Sequence, residues 1–226
     1  MLGVVVNAVA VLIGALIGMV LKKGISEKIS DTVMKGLSLC VMYIGWSGAM
    51  ECKNTLILIL SIVIGAVIGE GIDIDRRFNA FAQGLEKKFF KKSKKGSFAE
   101  GFISASLLFC VGAMAVVGSI QSGIEGNHET LFAKSLIDCI SAIIFASTMG
   151  IGVGASCVPV FLYQGIIVLG AGALSGVLTE TVIAEMTASG SLLIFALGMN
   201  MAGITKFKVM NYLPAVFVPI ILCQFM

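Results

Sequence analysis

LGVVVNAVAVLIGALIGMVL, residues 2–21, runs for twenty positions without a charge. A helix rises about 1.5 Å per residue, so the stretch covers about 30 Å, the thickness of a bilayer's hydrocarbon. No basic segment precedes it, and it is too long for the apolar part of a signal peptide, so it reads as a retained membrane span. The rest of the chain agrees with this environment. Hydrophobic residues make up 58% of the 226 positions and charged residues only 13%, with a mean hydropathy of +1.02. A soluble domain carries about 25% charged residues, because a surface facing water needs them. Glycine supplies 27 residues, and small residues let helices approach closely in lipid.

Working outward, eight stretches have the length and apolarity of spans: 2–21, 32–50, 55–70, 98–120, 132–155, 158–178, 189–205 and 210–226. Asn54 supplies a helix start for the third, and Pro159 falls in the first turn of the sixth. All sixteen basic residues except Lys53 and Lys134 fall in or beside the connections on one side of this scheme. Glu51, Glu125, Glu129, Glu180 and Glu185 fall on the other. Positive loops remain cytoplasmic, which places both termini outside. The expected fold is all-α: a polytopic transmembrane helix bundle of about eight spans, one integral membrane domain over 1–226, with a basic cytoplasmic connection at 76–97. In that connection Phe78, Phe81, Ala82, Leu85 and Phe89 recur at helical spacing among Arg76, Arg77, Lys87, Lys88, Lys91 and Lys92. The pattern suits an amphipathic helix on an anionic leaflet, or a solvated basic linker that only sets topology. It is no sign of nucleic-acid binding.

Glycine pairs four apart, Gly14–Gly18, Gly65–Gly69, Gly150–Gly154 and Gly172–Gly176, predict close helix crossings within the chain or in a homo-oligomer. IGALIG at 13–18 recurs as IGAVIG at 64–69, which would fit a duplicated hairpin. MGIGVGASCVP at 149–159 has the composition of a broken helix end, tolerated at membrane depth only where protein or water satisfies its backbone.

Six scattered cysteines, no CxxC pair and one histidine, His128, give no disulfide framework or metal site. No GxxxxGK[ST] loop, HExxH pair or GxSxG elbow occurs. Neither enzymatic activity nor a cofactor is expected. Polar residues inside spans are expensive unless paired, so they are the candidate site. Asp138 is the leading candidate, flanked by Ser135 and Ser141; its alternative role is an ion pair with Lys134, one turn earlier on the same helix face. Asn7, Ser119, Gln121 and Asp138 fall toward the outer face in this scheme, while Glu70, Gln164 and Asn200 fall toward the inner half. Two polar levels separated by an apolar middle would suit a permeation route, or a bundle whose helix ends are wetter than their centres.

FCVGAMAVVGSIQSG (109–123), KSLIDCISAIIFASTMGIGVG (134–154), YQG (163–165) and GMNMAGITKFKVMNYLPA (198–215) resemble the bacterial membrane proteins of domain of unknown function family 554, the YqgA-like proteins. The resemblance covers nearly the whole chain and implies a polytopic protein of the bacterial inner membrane. It brings no substrate or site residues. On the residues themselves, the expected function is a transporter or channel for a small solute, a cation or amine, with an intramembrane carboxylate at the site. The alternative is a scaffold or regulator that acts through the basic 76–95 segment without transporting anything. The expected partners are the lipid bilayer and a small-molecule or ion substrate.

Overall fold

The computed structural model describes residues 1–22, 27–89, 97–174 and 176–225. Among the described residues every regular element is a helix. The chain forms two compact units. The first comprises Met1–Met34, Ala80–Cys110 and Met114–Leu174; the second comprises Lys35–Asn79, Val111–Ala113 and Ser175–Met226. Five helices are long and apolar enough to cross a membrane, and a bent pair makes a sixth candidate. Two further expected spans differ. Helix α2 (Glu27–Ala49) is 23 residues long but carries Glu27, Lys28, Asp31 and Lys35 in its first half. The apolar segment Val209–Leu222 is short.

In the first unit, α1 (Leu2–Lys22) buries one stripe, Val4, Asn7, Val11, Gly14, Ala15 and Gly18. It leaves Val5, Val9, Leu12, Leu16 and Val20 exposed, the face suited to lipid. The stripe packs on α7 (Glu129–Met149). Gly3 meets Leu131, Gly14 the Cys139 carbonyl and Gly18 the Ile143 carbonyl, so numbers rise together and the two helices run parallel. The first and fifth spans of an alternating scheme should do this.

After α7 the chain turns at Gly150, whose φ of 81° and ψ of −148° suit only glycine. It returns through α8 (Ile151–Ala155) and α9 (Cys157–Leu174). The two are separated only by Ser156. Pro159 lacks the N–H that would bond the Ala155 carbonyl, so the helical ladder is interrupted there. Gly154 lies against Ala15, while Gln164 reaches back to Asn7, so α8–α9 runs antiparallel to α1. The expected break in MGIGVGASCVP is present, but the turn comes at 150 rather than after 155. The returning span is therefore Ile151–Leu174, 24 residues long.

The span expected at 98–120 is two helices, α5 (Ser97–Cys110) and α6 (Ala113–Ile124). They meet at a 58° bend. Gly112, at φ 138°, supplies a conformation that side chains rarely allow.

In the second unit, α10 (Glu180–Met201) is buried without interruption from Glu185 to Ser191 and again at Leu193 and Ile194. Over that run it is covered on all sides, as its lack of amphipathicity requires. Residues 35–49 of α2, the part in this unit, run antiparallel to it, with Gly45 against the Phe195 backbone and Gly198 against Met42 and the Ser38 carbonyl. Helix α3 (Thr55–Ile72) starts at Asn54, whose side chain accepts from the Leu56 N–H, and buries Ile57, Ser61, Gly65 and Gly69. Gly65 meets Ala215 and Gly69 the Asn211 carbonyl, an antiparallel contact. The last expected span is a 310 helix over Val209–Val216 followed by α11 (Pro219–Leu222). Pro214 and Pro219 withhold the N–H groups that a continuous α-helix would need.

Two of the four glycine pairs, Gly14–Gly18 and Gly65–Gly69, make the close crossings expected, each filled by the same chain. Gly150 is instead the turn, and a Cβ added at Gly172 or Gly176 would meet no atom within 4 Å among the described residues. The IGALIG and IGAVIG copies thus meet partners of opposite direction. Residues Ile74–Phe89 form a helix, α4. The amphipathic reading of that segment rests on Phe81, Ala82, Leu85, Lys87, Lys88 and Phe89, whose side chains lie outside the described residues, as do residues 90–96.

Candidate functional site

Asn7 lies between Gly3 and Gly14 in the α1 stripe that glycines hold against α7. That packing brings four polar side chains together in the first unit. Lys134 Nζ donates to both oxygens of Asp138, at 2.9 and 2.8 Å, the i,i+4 geometry of one helix face. Asn7 Nδ2 donates to Asp138 Oδ2 at 3.1 Å and to Gln164 Oε1 of α9 at 3.3 Å. Lys134 is 7% exposed and Asp138 4%, while Asn7 and Gln164 are fully buried. The ion-pair role weighed for Asp138 is thus observed, within the unit's interior and beside two amides. Asn7 Oδ1 and Gln164 Nε2 have no hydrogen-bond partner among the described residues.

Gln164 was expected at the inner level, apart from Asp138. The turn at Gly150 corrects this. Residue 164 lies 13 positions beyond Ile151, about 20 Å along the returning span, rather than six positions into it. The two polar levels merge at Asn7, Asp138 and Gln164.

The other four candidates serve their own surroundings. Ser119 donates to the Ala115 carbonyl within α6, at 2.6 Å. Gln121 accepts from the Thr130 hydroxyl, and Ser122 bonds His128 Nδ1, so the polar end of residues 109–123 ties α6 to the start of α7. In the second unit Asn200 closes the loop after α10, donating to the Phe207 carbonyl and accepting from Phe207 N–H and Thr205. Glu70 accepts from Lys208 at 2.8 Å and from Asn211 at 2.6 Å. The pair is exposed. The hydrogen bond to Glu70, with its charge, holds the Lys208 ammonium above the usual lysine range.

In the eight-span scheme Glu185 falls in an outer loop. It lies instead inside α10, fully buried. Its carboxylate accepts the Lys53 and Asn54 N–H groups, both at 2.7 Å, at the start of α3, and the Cys52 thiol lies 3.5 Å away. A carboxylate at a helix N-terminus gains from unpaired N–H groups and from the helix dipole. Burial first, and then the Glu185 charge, push the Cys52 thiol up, so it stays a donor. The missed signal was Thr179, whose side chain caps α10 by accepting from Val182 N–H and so starts the helix five residues before Glu185. Glu185→Ala is expected to destabilise the protein by about 1–3 kcal/mol through the two N–H groups it strands. Glu185→Gln, which keeps an acceptor, should lose less. Chemical unfolding in detergent measures both.

A family model described as "Protein of unknown function (DUF554)" matches residues 2–224. The chain is 31% identical over 223 residues to "Uncharacterized membrane protein YdfK" of Bacillus subtilis (strain 168), covering 97% of this chain and 94% of that one. It is also 31% identical over 217 residues to "Uncharacterized protein YqgA" of Escherichia coli (strain K12), covering 95% and 92%. No solved structure matches. With five apolar helices of spanning length, these likenesses describe a multi-pass membrane protein.

Proposed function

We propose that this chain, which belongs to the DUF554 family, is a transporter or channel for a small solute, with Asp138 at its site. One observation carries the reading: a buried carboxylate–ammonium pair adjoins two fully buried amides, each with an unpaired polar atom. Each unsatisfied buried polar atom costs about 1–3 kcal/mol. A network that served only to hold α1, α7 and α9 together would use those atoms or dispense with them. Ionisable groups at membrane depth belong characteristically to solute and ion pathways. The basic loops of the sequence accord with a bacterial plasma-membrane protein whose termini face outward.

The test is flux into liposomes holding the purified chain, with neutral solutes, metal cations and small amines as probes. A transporter should pass at least one of them faster than empty vesicles do, and Asp138→Asn should reduce that rate about ten-fold or more, a loss of about 1.4 kcal/mol in barrier terms. Flux equal in wild type and Asp138→Asn would remove Asp138 from the site. Flux of no probe at all would remove the transport reading itself.

A further inference from the structure

Asp138 alone would attract a cation, but its neighbours already neutralise it. We infer that the solute handled at this cluster has no net charge and both donates and accepts hydrogen bonds. The inference rests on the transport reading above and narrows its substrate class.

The first argument is charge balance. Lys134 Nζ bonds both carboxylate oxygens, and Asn7 Nδ2 adds a third donor. A bare cation would have to displace an ammonium that one helix face holds in place. It would then leave that ammonium, 7% exposed, without its partner. Removing one member of a buried pair is strongly unfavourable, because the other charge remains uncompensated. An anion meets the converse obstacle, since Lys134 is committed to Asp138.

The second argument is the polarity of the amides. An ionised carboxylate only accepts, so Asn7 must turn its Nδ2 toward Asp138. That nitrogen also faces Gln164, which must therefore present Oε1. The chain of bonds fixes both amide orientations and leaves free one acceptor, Asn7 Oδ1, and one donor, Gln164 Nε2. A monatomic cation would satisfy only the acceptor and an anion only the donor. An amide, a hydroxyl group or a zwitterion satisfies both. Three helices, α1, α7 and α9, supply these groups, so the arrangement depends on the tertiary fold and not on one helix's local geometry.

The experiment uses the full chain in liposomes with tracer uptake of two probe sets. Urea, glycerol and glycine carry no net charge; sodium, potassium and methylammonium carry one. At least one neutral probe should enter about ten-fold faster than into empty vesicles, with the cations at the empty-vesicle rate. Gln164→Leu, which keeps the volume and deletes the free donor, should cut that uptake about ten-fold, the scale of one hydrogen bond. Its unfolding midpoint should change little, since the unsatisfied Nε2 it removes offsets the long Asn7–Oε1 bond it also deletes. Asp138-dependent entry of a cation with no neutral probe entering would overturn the inference and leave transport standing. Entry of nothing would overturn both. Neutral uptake unchanged in Gln164→Leu would overturn the assignment of the amide pair.

Discussion

Lys134→Met should destabilise the protein by about 3–5 kcal/mol, and adding Asp138→Leu to the same chain should restore most of that loss. The single substitution removes the ammonium that bonds both Asp138 oxygens and leaves Asn7 as the remaining donor to a carboxylate 4% exposed. The charge must then remain buried without a counter-ion or take up a proton, and either is unfavourable relative to the pair. The double variant has no charge left to bury, and methionine and leucine suit an apolar helix interface. Unfolding of purified protein in detergent, followed by circular dichroism, measures the three chains. If the double variant is as weak as the single one, the loss comes from packing along α1 and α7 rather than from stranded charge. Were Lys134→Met itself neutral, the pair would not be as enclosed as its exposure implies.

That pair was legible in the sequence because its geometry is local: residues 134 and 138 share a helix face whatever surrounds them. The span at 2–21 was legible for the same reason, since length and apolarity alone place it in lipid. The features that escaped depend on distant partners or on irregular backbone. Between Ile143 and Val168 the chain is apolar almost throughout, so hydropathy has no step to mark the turn at Gly150. A displacement of seven residues was enough to move Gln164 from the wrong level to the side of Asn7. Glu185 escaped because what stabilises it is backbone more than 130 residues away, at the start of α3. Spacing rules carry no information about such a contact. The 310 segment at 209–216 was announced by Pro214 and Pro219, whose effect on the ladder outweighs the apolarity that suggested an ordinary span.

The glycines of α1 set how near Asn7 comes to Asp138, and Gly14→Leu should therefore abolish both the fold of the first unit and any flux. A Cβ at position 14 would overlap the Cys139 carbonyl, and one at position 18 the Ile143 carbonyl. Both obstacles are backbone, which cannot swing aside as a long side chain can. Overpacking a well-filled core costs about 1–3 kcal/mol, and an obstacle of rigid backbone belongs at or beyond the upper end. Gly14→Ala should already push α1 off α7 and lengthen the 3.1 Å bond from Asn7 to Asp138. Gly172 is the control. It lies in α9, where an added Cβ would meet no atom within 4 Å among the described residues. Gly172→Ala should leave flux intact and raise stability by up to about 1 kcal/mol, from helix propensity alone. Unfolding midpoints in detergent and tracer flux, measured together, separate the two positions. A Gly14→Ala chain that unfolds at the wild-type midpoint and keeps its flux would mean that α1 and α7 can part without disturbing the cluster. Asn7 would then owe its place to its own hydrogen bonds rather than to the glycine contact beneath it.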